Sequence, residues 1–261
     1  MIIDTHAHYD DEAFEADRDR ILHGLKDRGV EKLVNAAASM NGCRRTLKLT
    51  AQYDFVYGML GVHPDEVEEL TEADMDFIRK NALNPKITAI GEIGLDYHWD
   101  VAPREVQKKW FLRQIEIAKE VKLPICVHSR DAAADTLAVL KEGKAWETGG
   151  VIHCYSYSAQ LAEEYLSMGF YFGIGGVVTF KNGRKCKEVV EMLPLDKILL
   201  ETDAPYLAPE PFRGKRNESP YLSYVAKEIA GIKGISEEEV IAGTRANAYC
   251  LYPKLKNPAQ L

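Results

Sequence analysis

Long hydrophobic runs are missing from this chain. No apolar stretch approaches the roughly 18 residues that a membrane-spanning helix requires, which excludes a helical membrane protein. Cysteine is sparse too: five in 261 residues, an odd number without framework spacing. That excludes a disulfide scaffold and fits reduced thiols in a cytoplasmic protein. Positive charge is not in excess, with 33 Lys and Arg against 40 Asp and Glu and a net charge of −7. The bulk field therefore does not attract nucleic acid, and an anionic substrate must be held by local charge or by metal. There is no low-complexity stretch, linker or break in composition, so residues 1–261 are expected to form one domain. A strand is expected to begin at Ile2, so no secretory leader is expected ahead of it.

What is present is a regular alternation. Short β-branched or apolar runs at Ile2–His8, Lys32–Ala37, Phe55–Val62, Ile87–Ile93, Pro124–His128, Gly150–Cys154, Phe170–Ile174 and Lys197–Thr202 read as strands. Amphipathic stretches between them read as helices, the clearest at Asn41–Tyr53, Arg104–Val121 and Glu237–Leu251. A first helix is expected over Ala16–Arg28, stopped by Gly29. Eight strands, each followed by a helix, favour a closed parallel (β/α)8 TIM barrel over an open doubly wound sheet.

The polar residues then fall into a pattern. In the first run Asp4, His6 and His8 share one parity, which puts all three on one face as the strand ends. Histidines and carboxylates recur at the ends of later runs: His63, Glu92, His128, His153 and Asp203, with Glu201 one step deeper. Only His23 and His98 lie outside this set. The carboxyl ends of barrel strands are where active sites assemble. Four histidines with two carboxylates can hold two divalent ions of magnesium, manganese or zinc type. Open positions on such ions suit hydrolysis.

A second informative stretch follows the last strand. Prolines at 205, 209 and 211 keep the loop extended across the barrel mouth. Arg213, Lys215 and Arg216 lie within four residues, and their place after strand eight makes them a candidate phosphate clamp. Ser129 and Cys154 adjoin ligand positions but have the opposite parity, so they are expected to face the helices.

Together these segments resemble the TatD-type metal-dependent deoxyribonucleases among the amidohydrolase-like barrels. The matching stretches are D-T-H-A-H at Asp4–His8, G-V-H-P at Gly61–Pro64 and G-E-I-G-L-D-Y at Gly91–Tyr97. P-I-C-V-H-S-R-D-A at Pro124–Ala132, V-I-H-C-Y-S at Val151–Ser156, L-L-E-T-D-A-P-Y-L at Leu199–Leu207 and then R-G-K-R-N complete the order. The resemblance implies a two-metal centre acting on DNA, commonly as a 3′→5′ exonuclease; single-stranded ends are the expected substrate, and no obligate protein partner is evident in the sequence. It further implies that His6, His8 and Asp203 bind one ion, that His128 and His153 bind the other, and that Glu92 bridges them. His63 would lie near the substrate phosphate, Arg213 in the substrate-contacting loop, and Asp203 would accept a proton from water. Tyr157 departs from the family, which usually has glycine there, and its ring is expected to narrow the mouth or to stack a terminal base. Two other classes stay open: a hydrolase of a small amide, lactone or ester, and a non-catalytic nucleic-acid-binding barrel.

Overall fold

Eight strands pair side by side in chain order, each parallel to the one before. They are β1 Ile2–Ala7, β2 Val30–Ala36, β3 Val56–Leu60, β4 Ile87–Asp96, β5 Ile125–Arg130, β6 Gly150–Ile152, β7 Tyr171–Ile174 and β8 Ile198–Leu200. The computed structural model describes residues 1–256. The ring is completed beyond β8, where the Asp203 N–H donates to His6 O (2.9 Å) and the His8 N–H to Ala204 O (2.7 Å). Helices cover the outside: α1 Arg18–Gly24, α2 Met40–Gln52, α3 Glu72–Asn81, α4 Arg104–Val121, α5 Ala133–Glu142, α6 Ala159–Ser167, α7 Arg184–Met192, α8 Leu222–Lys233 and α9 Glu237–Leu251. The (β/α)8 barrel expected from the alternation is the fold observed.

Two apolar layers hold it. Inside the ring, Ile3, Val34, Met59, Ala89, Cys126, Val151 and Leu199 pack together, with Tyr252 and Leu255 in the same cluster. Between strands and helices lies the larger layer. Helix α4 shows why one stretch both folds and positions the site. Trp110, Phe111, Ile115 and Ala118 recur at helical spacing on its buried face, each large side chain contributing roughly 1.5–3 kcal/mol when fully buried. Gln107 and Gln114 share that face, seven residues apart. The Gln114 amide brackets Val62, accepting from its N–H (2.8 Å) and donating to its O (3.2 Å). Gln107 does the same for Asp96 (2.9 and 3.1 Å). The ends of β3 and β4 are thus clamped by one helix.

Several boundaries differ from the sequence expectation for physical reasons. Strand β4 runs on to Asp96, and β5 to Arg130, because they pair with each other that far. The glycine at 94 permits it, since its φ is +150° and a Cβ there would lie 1.8 Å from His128 O. Strands β6 and β8 end early: beyond them Cys154 and Asp203 adopt left-handed backbone (φ 45° and 58°) and leave the ladder. The first helix is shorter than Ala16–Arg28 and gives way to a 3-10 turn over Lys26–Arg28. The shared parity expected for Asp4, His6 and His8 also needs correction. The β1–β2 register shifts between Asp4 and Ala7. The Asp4 carboxylate turns into the seam with the last strand, accepting from Thr202 Oγ1 (2.7 Å) and Ser219 Oγ (2.6 Å).

Candidate metal centre

At the carboxyl ends of the strands the chain opens a cavity of about 800 Å³. Four histidines of the site each have an outer neighbour on one ring nitrogen. The His8 Nδ1–H donates to Ala36 O (2.8 Å), and the His128 Nε2–H to Asp96 Oδ2 (3.0 Å). His6 Nδ1 lies 3.3 Å from Cys126 Sγ, and His153 Nδ1 lies 3.0 Å from Glu201 Oε1. An imidazole fixed through one nitrogen presents the other as a lone pair. In all four the free nitrogen turns toward Glu92.

Glu92, on β4, is the hinge of the arrangement, because its two oxygens face two groups. Oε2 lies 3.4 Å from His6 Nε2 and 3.6 Å from His8 Nε2. Oε1 lies 3.0 Å from His128 Nδ1 and 3.7 Å from His153 Nε2. Asp203 Oδ1 adds contacts of 3.3 Å to His8 and 3.8 Å to His6 on the first side, and 3.7 Å to His153. His6 and His8 Nε2 are 3.2 Å apart. Ligand atoms roughly 2.0–2.2 Å from a shared ion stand about 3.0–3.6 Å from one another, so the first group fits one divalent ion. His6, His8 and Asp203 form one compact donor cluster, and His63, Glu92 and His128 another.

The electrostatics point the same way. Burial would raise the buried Glu92 carboxyl, but bonds from His128 and His6 hold it well below its usual range. Burial opposes charge on His8 and His153, yet the facing carboxylates lift them to about 9 and about 10. His63 goes the other way, pushed down to about 3 by burial and by His128. Two imidazoles drawn toward protonation mark a place where positive charge is wanted, which a divalent cation supplies when it displaces those protons.

The match to known proteins is extensive. The family described as TatD related DNase matches residues 3–253. The chain belongs to the TatD family. Within it the protein is a metal-dependent hydrolase whose His, Asp and Glu clusters are able to hold metal. It is 44% identical to the metal-dependent hydrolase YabD of Bacillus subtilis, over 97% of this chain and 99% of that one. It is 36% identical to the metal-dependent hydrolase YcfH of Escherichia coli, over 95% and 94%. Among solved structures, the TatD homologue YjjV of Escherichia coli superposes with a TM-score of 0.89 at 31% identity, covering 97% of this chain and 98% of that one.

The TatD-family barrel brings His6, His8, His63, Glu92, His128, His153 and Asp203 together. It does not bring the three loop cations with them. Arg216 makes a bidentate pair with Asp17 (2.8 Å to each oxygen), donates to Ala13 O (2.6 Å) and lies over the Phe14 ring. Arg213 lies over Phe180, and neither it nor Lys215 lines the cavity. The guanidiniums that do line it belong to Arg45 on α2 and Arg130 on β5. They face the carboxylates of Asp10, Asp11, Glu12, Asp65, Glu66, Glu92, Asp96 and Asp203. Tyr157 also sits elsewhere than expected. Its hydroxyl is 3.0 Å from Ser129 Oγ and accepts from the Ala132 N–H, which folds the ring toward the start of α5 and away from the mouth. Ser129 faces α5 through Thr136, as its parity implies.

Sequence reading missed Asp96 and gave Glu201 no role. Asp96 has the parity of Glu92, and a longer β4 would have exposed it. Glu201 is buried against Gly173, where a Cβ would fall 2.0 Å from its carboxylate. Arg45 and Arg130 carry no spacing signal that would single them out.

Proposed function

We propose that this TatD-family hydrolase cleaves phosphodiester bonds of DNA, as a 3′→5′ exodeoxyribonuclease on single-stranded ends. Two divalent ions, magnesium, manganese or zinc, would be held by His6, His8 and Asp203 on one side and by His128 and His153 on the other, with Glu92 between. One observation carries the reading: eight carboxylates line the cavity against two guanidiniums. A phosphodiester cannot enter on the protein's own charge, so cations must receive it. The family's description supplies the nucleic acid.

Divalent ions bound there supply Lewis acidity to water and phosphate. Asp203, at the open end of β8, accepts the proton of the attacking water. His63 Nδ1 accepts from the Asp65 N–H (3.3 Å), which leaves the proton on Nε2, facing Glu92. That neutral N–H donates to a phosphate oxygen. Arg45 and Arg130 offset phosphate charge at the wall, while Arg213 and Lys215, outside the cavity lining, would contact phosphates farther from the cut. Free thiols at all five cysteines support a cytoplasmic setting, and no helix among the described residues is long and apolar enough to cross a membrane.

The test is product analysis on end-labelled single-stranded DNA with each metal. Metal-dependent release of mononucleotides is the expected result. Turnover of a lactone or carboxylic ester with DNA left intact would assign a small-molecule hydrolase instead. Metal uptake without turnover of either would assign a binding barrel.

A further inference from the structure

We propose that Trp99, with the Arg130 guanidinium over its ring, is a stacking subsite for an unpaired nucleobase beside the phosphate held in the cavity. The inference rests on the nuclease reading and deepens it, because such a subsite selects single-stranded over paired ends.

Trp99 lines the cavity beside His63 and His128, yet 63% of it is exposed. An exposed indole leaves unburied a large apolar surface that burial would stabilise. It is also held in place. Asp96 Oδ1 accepts from the N–H groups of His98 (2.8 Å) and Trp99 (3.0 Å), while Oδ2 of the same carboxylate takes the His128 Nε2–H. One side chain therefore fixes both a metal-centre imidazole and the backbone that carries the indole. That is preorganisation, which lowers the ordering cost of binding.

Two neighbours complete the platform. The Arg130 guanidinium lies 5.6 Å from the Trp99 ring centre, and the His98 ring meets it edge-on at 5.0 Å. Arginine can stack on a base and still donate to the adjoining phosphate. Other aromatics near the mouth are committed: Tyr206 is tied through its hydroxyl to Asp11 (2.9 Å), and Tyr157 is folded against α5. Every base has a π-face, so stacking tolerates sequence, but a paired base must first leave its duplex.

The experiment combines fluorescence and kinetics on the metal-loaded full chain. In a Trp146→Phe background, which removes the other exposed indole, phosphorothioate oligothymidylate is expected to quench Trp99 emission. Trp99→Ala should abolish the quench and raise KM for single-stranded DNA about tenfold, with much less change in kcat. Trp99→Phe should retain most of the affinity, and the loss should shrink when the terminal nucleotide lacks its base. The preference of the parent for single-stranded over blunt ends should narrow in Trp99→Ala. Cleavage by Trp99→Ala at the parent's KM, or equal losses on base-bearing and abasic ends, would overturn the subsite and leave the nuclease reading standing. Quenching without any DNA cleavage by the parent would keep the subsite and remove the nuclease. Neither cleavage nor quenching removes both.

Discussion

Glu92 is the residue on which the metal centre turns, because its two oxygens serve two groups of imidazoles at once. Glu92→Gln keeps the shape but replaces one oxygen by an amide and removes the charge. Losing an outer-shell partner of a metal site commonly costs 10–100-fold, so loss at a ligand proposed to be shared by two ions should cost about a hundredfold or more in hydrolysis. Metal content, read by elemental analysis, should fall with it, while far-UV circular dichroism stays that of the parent. Two ions retained with full activity would overturn the proposed bridging role of Glu92. At Arg216 the expectation is of another kind. Its bidentate pair with Asp17 and its place over Phe14 join the loop after β8 to the start of α1. Arg216→Ala should therefore lower stability by roughly 1 kcal/mol while sparing catalysis, whereas Arg45→Ala and Arg130→Ala should weaken DNA cleavage and spare stability. Asp17 is held below its ordinary 3.8 chiefly by that hydrogen bond from Arg216. A depressed carboxyl stabilises above its unfolded value and ceases to as pH falls through the folded one. The deficit of Arg216→Ala in thermal melts should thus be full at pH 6 and fade below about pH 4.

Helix α4 shows how an element far from the chemistry sets it. Its buried Gln114 brackets Val62, the residue before His63, and Gln107 brackets Asp96, the residue that holds His128. Gln114→Leu should cost about 1–3 kcal/mol, because the Val62 N–H is left buried without a partner. It should also lower kcat/KM for DNA at temperatures well below the melt, since His63 loses its fixed approach. A stability loss with unchanged kinetics would confine Gln114 to packing. The extent of α4 is legible in the sequence, where apolar residues recur at helical spacing, and so is α9, capped by Ser236 and Glu239. The histidines at strand ends are legible too, because a two-residue period and a breaking residue are local. What is not local stays hidden. The glutamines look like ordinary surface residues until β3 and β4 are packed against them. The Arg216–Asp17 pair spans 199 positions. That Asp4 and His6 part company goes with a register shift between Asp4 and Ala7 that no side-chain pattern announces.

At the scale of the molecule, the net charge of −7 is concentrated where function is placed. Eight carboxylates around one cavity repel one another, and the fold keeps them there because the barrel is closed by backbone hydrogen bonds, those of His6, His8 and Asp203 included, that leave the side chains of the site free. Metal removal should therefore loosen the mouth without dissolving the barrel. A ligand that binds only the folded chain stabilises it by RT ln(1 + [L]/Kd), about 2.7 kcal/mol at a hundred times Kd. For a chain of this length that corresponds to a Tm rise of roughly 5–10 °C. Dialysis against EDTA should lower Tm by that amount with far-UV dichroism preserved, and returning manganese or zinc should restore it. Glu92→Gln should show a much smaller metal-dependent shift, which ties the stabilisation to the centre and not to stray surface sites. Binding of DNA, and not its cleavage alone, should follow the same titration, because without cations the cavity repels phosphate. Added salt should then weaken binding only modestly, since two guanidiniums make few of the phosphate contacts that give a steep dependence. Tight, strongly salt-dependent DNA binding by the EDTA-treated chain would place the contact surface elsewhere, on the outer loop of Arg213 and Lys215, and would separate where DNA binds from where it is cut.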